Sequence, residues 1–217
     1  MQRILDRRLN ETVKRNRILL LDVVSAELGV DAELLLDLLT HHRHLQLLPF
    51  AGGVTVVTNR AKGRPSDVAI ARAVAMQRFC QREPTRPRIL SPESIETYFP
   101  SLFRKGLPFG YYVRNAGLQP VLGLLRVDTH LKPVARLMSK SDSIAQRHFK
   151  QQEFRQLQRT GQFELTWLVP TEAKKRSLEI AVANLSSLSF TLRAFAVPEV
   201  LEILAPLQLH HSPTLRV

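Results

Sequence analysis

Apolar positions recur at helical spacing through the first forty residues. Ile4 to Arg17 reads as one helix and Ile18 to Leu28 as a second, after which Gly29 breaks the pattern. Asp31 offers a capping side chain for a third helix from Ala32 to about His42, with Leu34, Leu35, Leu38 and Leu39 at core spacing. The pattern then turns extended. Leu45 to Phe50 and Val54 to Thr58 are strand-like, and Ala51-Gly52-Gly53 between them supplies the positive φ of a tight hairpin. After Pro65-Ser66-Asp67 a further helix is expected from Val68 to about Gln81, turning Ile70, Val74 and Phe79 inward. Arg82 to Arg88 holds two prolines, which disfavour helix and strand alike and mark a linker.

Beyond the linker, helix and strand alternate. Ser91-Pro92-Glu93 starts a helix running to about Phe103, with a capping hydroxyl and proline at the first helical position. Three strand-like segments follow, Phe109–Arg114, Val121–Asp128 and Pro133–Met138. A long helix is expected from Ser141 to about Arg159, ended by Gly161, then a strand over Phe163–Val169. A helix from Thr171 to about Leu185, a strand over Phe190–Val197 and a last helix from Pro198 to Leu204 close the chain. Trp167, flanked by Leu165 and Val169, is expected in the core.

Composition adds a polyanionic partner to this picture. Thirty-one Lys and Arg against 19 Asp and Glu leave a net charge of +12 over 217 residues. The excess is internal: residues 131–176 hold ten basic side chains and four acidic ones. A basic surface gains sequence-independent affinity for phosphates by releasing counterions. With 44% hydrophobic residues the chain has material for a packed core. It has no apolar run near the ~18 residues of a membrane helix, and no apolar segment of a secretory signal follows its charged start. One cysteine, Cys80, excludes an intrachain disulfide and a Cys-rich zinc site, and it reads as a small core residue. A soluble cytoplasmic or nucleoid-associated protein with no membrane partner is expected. His41, His42 and His44 do not complete a metal set, because neighbours on a helix point about 100° apart, and they read as a solvated helix end. No metal site and no cofactor are expected.

Helix, helix, short turn, helix and hairpin within 64 residues resemble the winged helix-turn-helix family. The N-terminal end of the third helix carries Asp31, Glu33 and Asp37, which repel phosphates. Backbone contacts are therefore expected from Arg7, Arg8, Lys14, Arg15 and Arg17 of the first helix, from Arg43, and from Arg60, Lys62 and Arg64 after the hairpin. The order α-β-β-β-α-β then α-β over residues 90–200 resembles the restriction-endonuclease-like core of the PD-(D/E)XK superfamily. Joined to the winged helix, it also looks like the replication-relaxation type of bacterial mobile-element protein. The expected class is α+β, an N-terminal winged helix over residues 1–64, a helix and linker over 65–89, and an α/β domain with a mixed sheet of about five strands over 90–217.

The resemblance implies that Asp128, in Leu124-Leu125-Arg126-Val127-Asp128, stands where active nucleases of that superfamily place a first metal-binding aspartate. Lys140 matches the lysine of the next strand, but Met138 stands where a second carboxylate belongs, with only Glu93 and Glu96 on the preceding helix to replace it. A degenerate, non-catalytic core is the reading preferred, and Mg²⁺ enters only under the nuclease alternative. On the long helix, Arg147, Gln151, Arg155 and Arg159 recur every four residues and form a ladder suited to phosphates, with Lys140 on the same side. Lys174 and Lys175 begin the next helix, where cations oppose the dipole and suggest another phosphate contact. The sequence thus favours a non-enzymatic protein that binds duplex DNA, for replication, maintenance or regulation of a mobile element. The alternatives are a Mg²⁺-dependent nuclease and an interaction subunit with a protein partner or a second copy.

Overall fold

The computed structural model describes residues 2–15, 17–60, 63–100, 110–116, 119–185, 188 and 190–209. Within them the chain divides into two compact units, one holding the chain up to Gln77 together with the stretch from Glu199, the other Arg78–Pro198. The division therefore falls inside a helix rather than at residues 64 or 89, and the last helix belongs with the N-terminal unit.

The first unit contains α1 (Gln2–Arg15), β1 (Ile18–Leu20), α2 (Leu21–Leu28), α3 (Ala32–His41), β2 (Leu45–Pro49), β3 (Thr55–Asn59), the start of α4 (Asp67–Arg82) and α9 (Glu199–Leu209). Its three strands are antiparallel in the order β1-β3-β2. Ile18–Leu20 is a strand and not the start of a helix. It pairs Ile18 with Thr58 and Leu20 with Val56, burying Leu19 and Leu20. Its outer edge is closed by a side chain, since Gln77 accepts from the Leu20 N–H at 2.9 Å and donates to the Ile18 carbonyl at 2.9 Å. Asp31 caps α3 as expected, accepting from Leu34 N–H at 2.8 Å. Leu35, Leu38 and Leu39 join Leu9, Val13, Val24 and Val57 in the core, whereas Leu34 stays outside, 42% exposed.

The second unit is built on a five-stranded mixed sheet in sequential order: β4 (Arg88–Ile89), β5 (Tyr111–Ala116), β6 (Gln119–Val127), β7 (Phe163–Val169) and β8 (Thr191–Ala196). The pairs β4–β5 and β5–β6 are antiparallel, while β6–β7 and β7–β8 are parallel. Helices α5 (Pro92–Tyr98), α6 (Val134–His148), α7 (Gln152–Arg159) and α8 (Glu172–Ala183) complete it. The class and the five strands stand, but the membership differs. Pro133–Met138 forms no strand: Pro133 is the N-cap of α6 and Val134–Met138 its first turn and more. Leu137, Ser141, Ile144 and Ala145 are all buried at helical spacing, so the apolar stripe already begins at Leu137. The fifth strand is Arg88–Ile89, from within the expected linker. The first helix of this unit ends at Tyr98, and residues 101–109 lie outside the described residues.

The long helix is two helices. On one unbroken helix Phe154 would sit about 100° round from Leu137, away from the core. The chain breaks at Phe149–Gln151, Gln151 becomes the N-cap of α7, and Phe154 is buried against Phe163 with ring centroids 5.5 Å apart. The break thus lets Phe154 reach the core. Trp167 is core as expected, 2% exposed, its indole N–H donating to Ser141 Oγ at 2.8 Å.

Candidate nucleic-acid interface

In the first unit the sheet gathers three of the expected arginines. Arg17 immediately precedes β1, Arg43 lies two residues before β2, and Arg60 follows β3. Ile18 pairs with Thr58 and Leu45 with Asn59, and Arg60 N–H donates to the His44 carbonyl at 2.8 Å. These registers bring all three to one end of the sheet, about 10 Å across at the ordinary strand spacing, and all are exposed. This end is opposite the hairpin tip at Ala51–Gly53, which carries no charge. An open cavity of about 260 Å³ lies there, lined by Arg17, Thr58, Asn59, Gly63 and Pro65 among others. Arg64 reaches back to Asp67 at 3.0 Å.

On α1, Arg7 is exposed with Glu11 at 3.9 Å, and Arg8 donates to the Glu27 carbonyl at 2.8 Å. Lys14 and Arg15 fall in its last turn, and Lys62 lies outside the described residues. The outward face of α3 presents Glu33 and Asp37, so it offers phosphates no cation. His41 and His44 are exposed, as expected of a solvated helix end, while His42 is half-buried. His42 Nε2–H donates to Asp6 Oδ1 at 2.9 Å and His44 Nε2–H to Asn10 Oδ1 at 2.7 Å. Asp6 and Asn10 are one turn apart on α1, so the pair ties the chain after α3 to α1. His210 and His211 lie outside the described residues.

In the second unit, Asp128 directly follows β6 at the carboxyl edge of the parallel strands. It is 2% exposed and both its oxygens are taken: Oδ1 accepts from Lys132 N–H at 3.1 Å, and Oδ2 is paired with Lys174 Nζ. Lys174 is therefore half-buried in an ion pair, and Lys175 has Glu172 at 3.5 Å. Lys140 sits on α6, not on a strand beside Asp128, with its ammonium 5.8 Å from the centre of the Trp167 ring. The lysine expected on a strand is therefore on a helix. Among the described residues no group of three or more His, Cys, Asp or Glu is placed to hold a metal ion. The ladder is also divided: Arg147 is in the last turn of α6, Gln151 caps α7, and of its four members only Arg155 and Arg159 share a helix, both exposed.

Little in the sequence announces a polar cluster inside this unit. Glu164, near the start of β7, is 1% exposed. Arg114 donates to it twice, from Nε at 2.7 Å and from a terminal nitrogen at 2.6 Å, while Arg193 adds a third bond at 3.3 Å. The Tyr112 hydroxyl donates to Glu164 as well, lying 2.7 Å from Thr166 Oγ1. Arg193 also holds the buried Glu83 at 2.8 Å. Burial by itself raises the Glu164 pKa, but the hydrogen bonds from Arg114 and Tyr112 and the two guanidinium charges outweigh it and hold the carboxyl below its usual value. Burial and the neighbouring carboxylate push the Tyr112 hydroxyl upward. Gly123, on β6 between Tyr112 and Glu164, leaves the gap that the tyrosine crosses. The readable signals are an isolated glutamate in an apolar strand and a glycine in the middle of another.

On the opposite face, His148 Nδ1–H donates to the Ile144 carbonyl at 2.8 Å, so its Nε2 accepts from the Tyr111 hydroxyl at 2.5 Å. Desolvation, with help from Arg126 and Arg147, holds His148 below the usual imidazole pKa. Cys80 is half-buried, and desolvation pushes its thiol up to about 11. A thiol so shifted holds little thiolate at neutral pH. Native protein should therefore react with Ellman's reagent at pH 7.5 at least about tenfold more slowly than urea-unfolded protein, and equal rates would show Cys80 to be activated.

No protein-family model, curated protein or solved structure matches this chain. Among the described residues no helix is long and apolar enough to cross a membrane.

Proposed function

We propose that this is a non-enzymatic DNA-binding protein whose winged-helix unit grips the phosphate backbone of duplex DNA. The observation that carries the reading is the gathering of Arg17, Arg43 and Arg60 at one end of the three-stranded sheet. Three exposed arginines anchored on backbone positions within about 10 Å can reach anionic oxygens spaced along a phosphate backbone. Arg7 and Arg8 add charge on α1. The acidic face of α3 argues against base reading by that helix, so affinity should depend weakly on DNA sequence and strongly on salt. A cytoplasmic or nucleoid location and a role in replication, maintenance or regulation of a mobile element go with this reading, through the family resemblance.

The nuclease alternative has less support. A magnesium ion needs carboxylate oxygens, and both oxygens of Asp128 are bonded to protein donors. The interaction-subunit alternative is favoured by one observation, the exposed Glu33 and Asp37 on α3, which suit a basic protein partner better than DNA.

Fluorescence anisotropy of a labelled duplex decides between these readings. Wild-type binding should weaken steeply as salt rises. Reversing Arg17, Arg43 and Arg60 to Glu should lower affinity at least about a hundredfold at low salt. An unchanged affinity in the triple variant, or no binding by the wild type, removes the proposal and leaves a protein partner.

A further inference from the structure

The parallel strands β6 and β7 send their carboxyl ends to one edge of the sheet, where α6 and α8 begin. Open α/β sheets bind ligands at this edge, and helix N-termini carry partial positive charge there. Between Asp128 and Lys140, and between Thr171 and Arg176, six side chains are cationic: Lys132, Arg136, Lys140, Lys174, Lys175 and Arg176. Two are acidic, Asp128 and Glu172, and each already faces a lysine. The first turn of α6 has no acidic residue at all. Cations at helix N-termini oppose the dipole and cost stability, and a bound anion reverses that sign.

Asp128 joins the two segments. One oxygen takes the Lys132 N–H of the loop before α6, the other takes Lys174 in the first turn of α8. The carboxylate is 2% exposed, so it positions its neighbours and meets no ligand itself. Thr129, the next residue, is 7% exposed, and its hydroxyl has no hydrogen-bond partner among the described residues, which leaves a donor over in the same loop. Arg136, Lys140 and Arg147 follow at four- and seven-residue steps and share one flank of α6 over about 16 Å. All three are exposed. This stripe replaces the ladder that the break before α7 divides.

We infer that the carboxyl edge of the second unit is a backbone-phosphate site for duplex DNA that works without a divalent cation, with Lys132, Arg136, Lys140, Lys175 and Arg176 meeting the anion and the Asp128–Lys174 pair holding the edge together. The inference rests on the DNA-binding reading and adds a second, separately removable site to it. The Lys174 ammonium is paired with Asp128 Oδ2 within the protein.

The test compares two variants on a fluorescein-labelled duplex, about 20 base pairs long, over roughly 50 to 200 mM NaCl with EDTA present. Replacing Lys132, Arg136, Lys175 and Arg176 by Gln should weaken binding about tenfold or more at the lowest salt. The slope of log affinity against log salt should become shallower by about 0.9 for each phosphate that the variant no longer neutralises. Wild-type affinity should be no lower in EDTA than in Mg²⁺, which competes for the phosphates. A slope unchanged in the quadruple variant, while the Arg17, Arg43 and Arg60 reversal abolishes binding, overturns this inference and leaves the DNA-binding reading standing. Wild-type binding that disappears in EDTA also overturns it, and a wild type that binds no DNA overturns both. If the quadruple variant melts early, the exposed pair Arg136→Gln/Arg176→Gln carries the same test, with about half the change in slope.

Discussion

Glu164→Gln should destabilise the protein by about 3–5 kcal/mol, the cost of leaving buried guanidinium charge without its carboxylate. Two arginines and a tyrosine converge on this one side chain, and Arg114 grips both of its oxygens. The variant amide keeps the shape and one acceptor, so the loss isolates charge from packing. Urea unfolding followed by far-UV circular dichroism measures it, and a change under about 1 kcal/mol would mean that the arginines find water or Glu83 instead. The pH dependence has a definite sign. The folded carboxyl lies below the unfolded value near 4.5, so its contribution is complete above that pH and disappears as the pH falls below it. His148 lies below 6.5 in the fold, so the unfolded chain takes up that proton first and stability already declines as the pH drops through 6.5. The variant should keep the decline due to His148 and lose the Glu164 contribution to the decline below about 4.5.

Gly123→Ala should cost about 3 kcal/mol or more, at the upper end of overpacking effects. An added Cβ would lie 2.0 Å from Cζ of Tyr112 and 2.5 Å from its hydroxyl oxygen. The ring has nowhere to go. Its hydroxyl is held by Glu164 and Thr166, and its edge meets Phe79 with centroids 5.1 Å apart. Relief therefore requires breaking the polar cluster. Adding Tyr112→Ala to the variant should recover part of the loss, so the double variant is less damaged than the two single effects combined. Full additivity in calorimetry would show that the ring and Gly123 do not meet.

How much of the fold is legible in the sequence depends on what decides each element. Asp31, Ser91 and Thr171 cap helices through hydrogen bonds to groups three residues away, so those starts can be read locally. Gly29 ends α2 in a left-handed conformation with φ 69°, and the hairpin glycines do the same for the turn. Ile18–Leu20 and Val134–Met138 mislead because both runs are apolar enough for helix or strand. Their state is set by β3 and by the core against α6, far away in sequence. The arginines at the end of the three-stranded sheet can be named singly, but only strand register shows that they converge. Asp128 stands out by its place at a strand end, yet its role comes from Lys174, a partner 46 residues on that spacing cannot reveal.

Gln77 has one more consequence. An edge strand is a template for further strands, and β1 is the outer member of its sheet. The Gln77 amide offers one donor and one acceptor at the spacing of a neighbouring backbone, and so occupies the places that an incoming strand would use. One side chain thus occupies the backbone groups of Ile18 and Leu20 through which a further strand would add to β1.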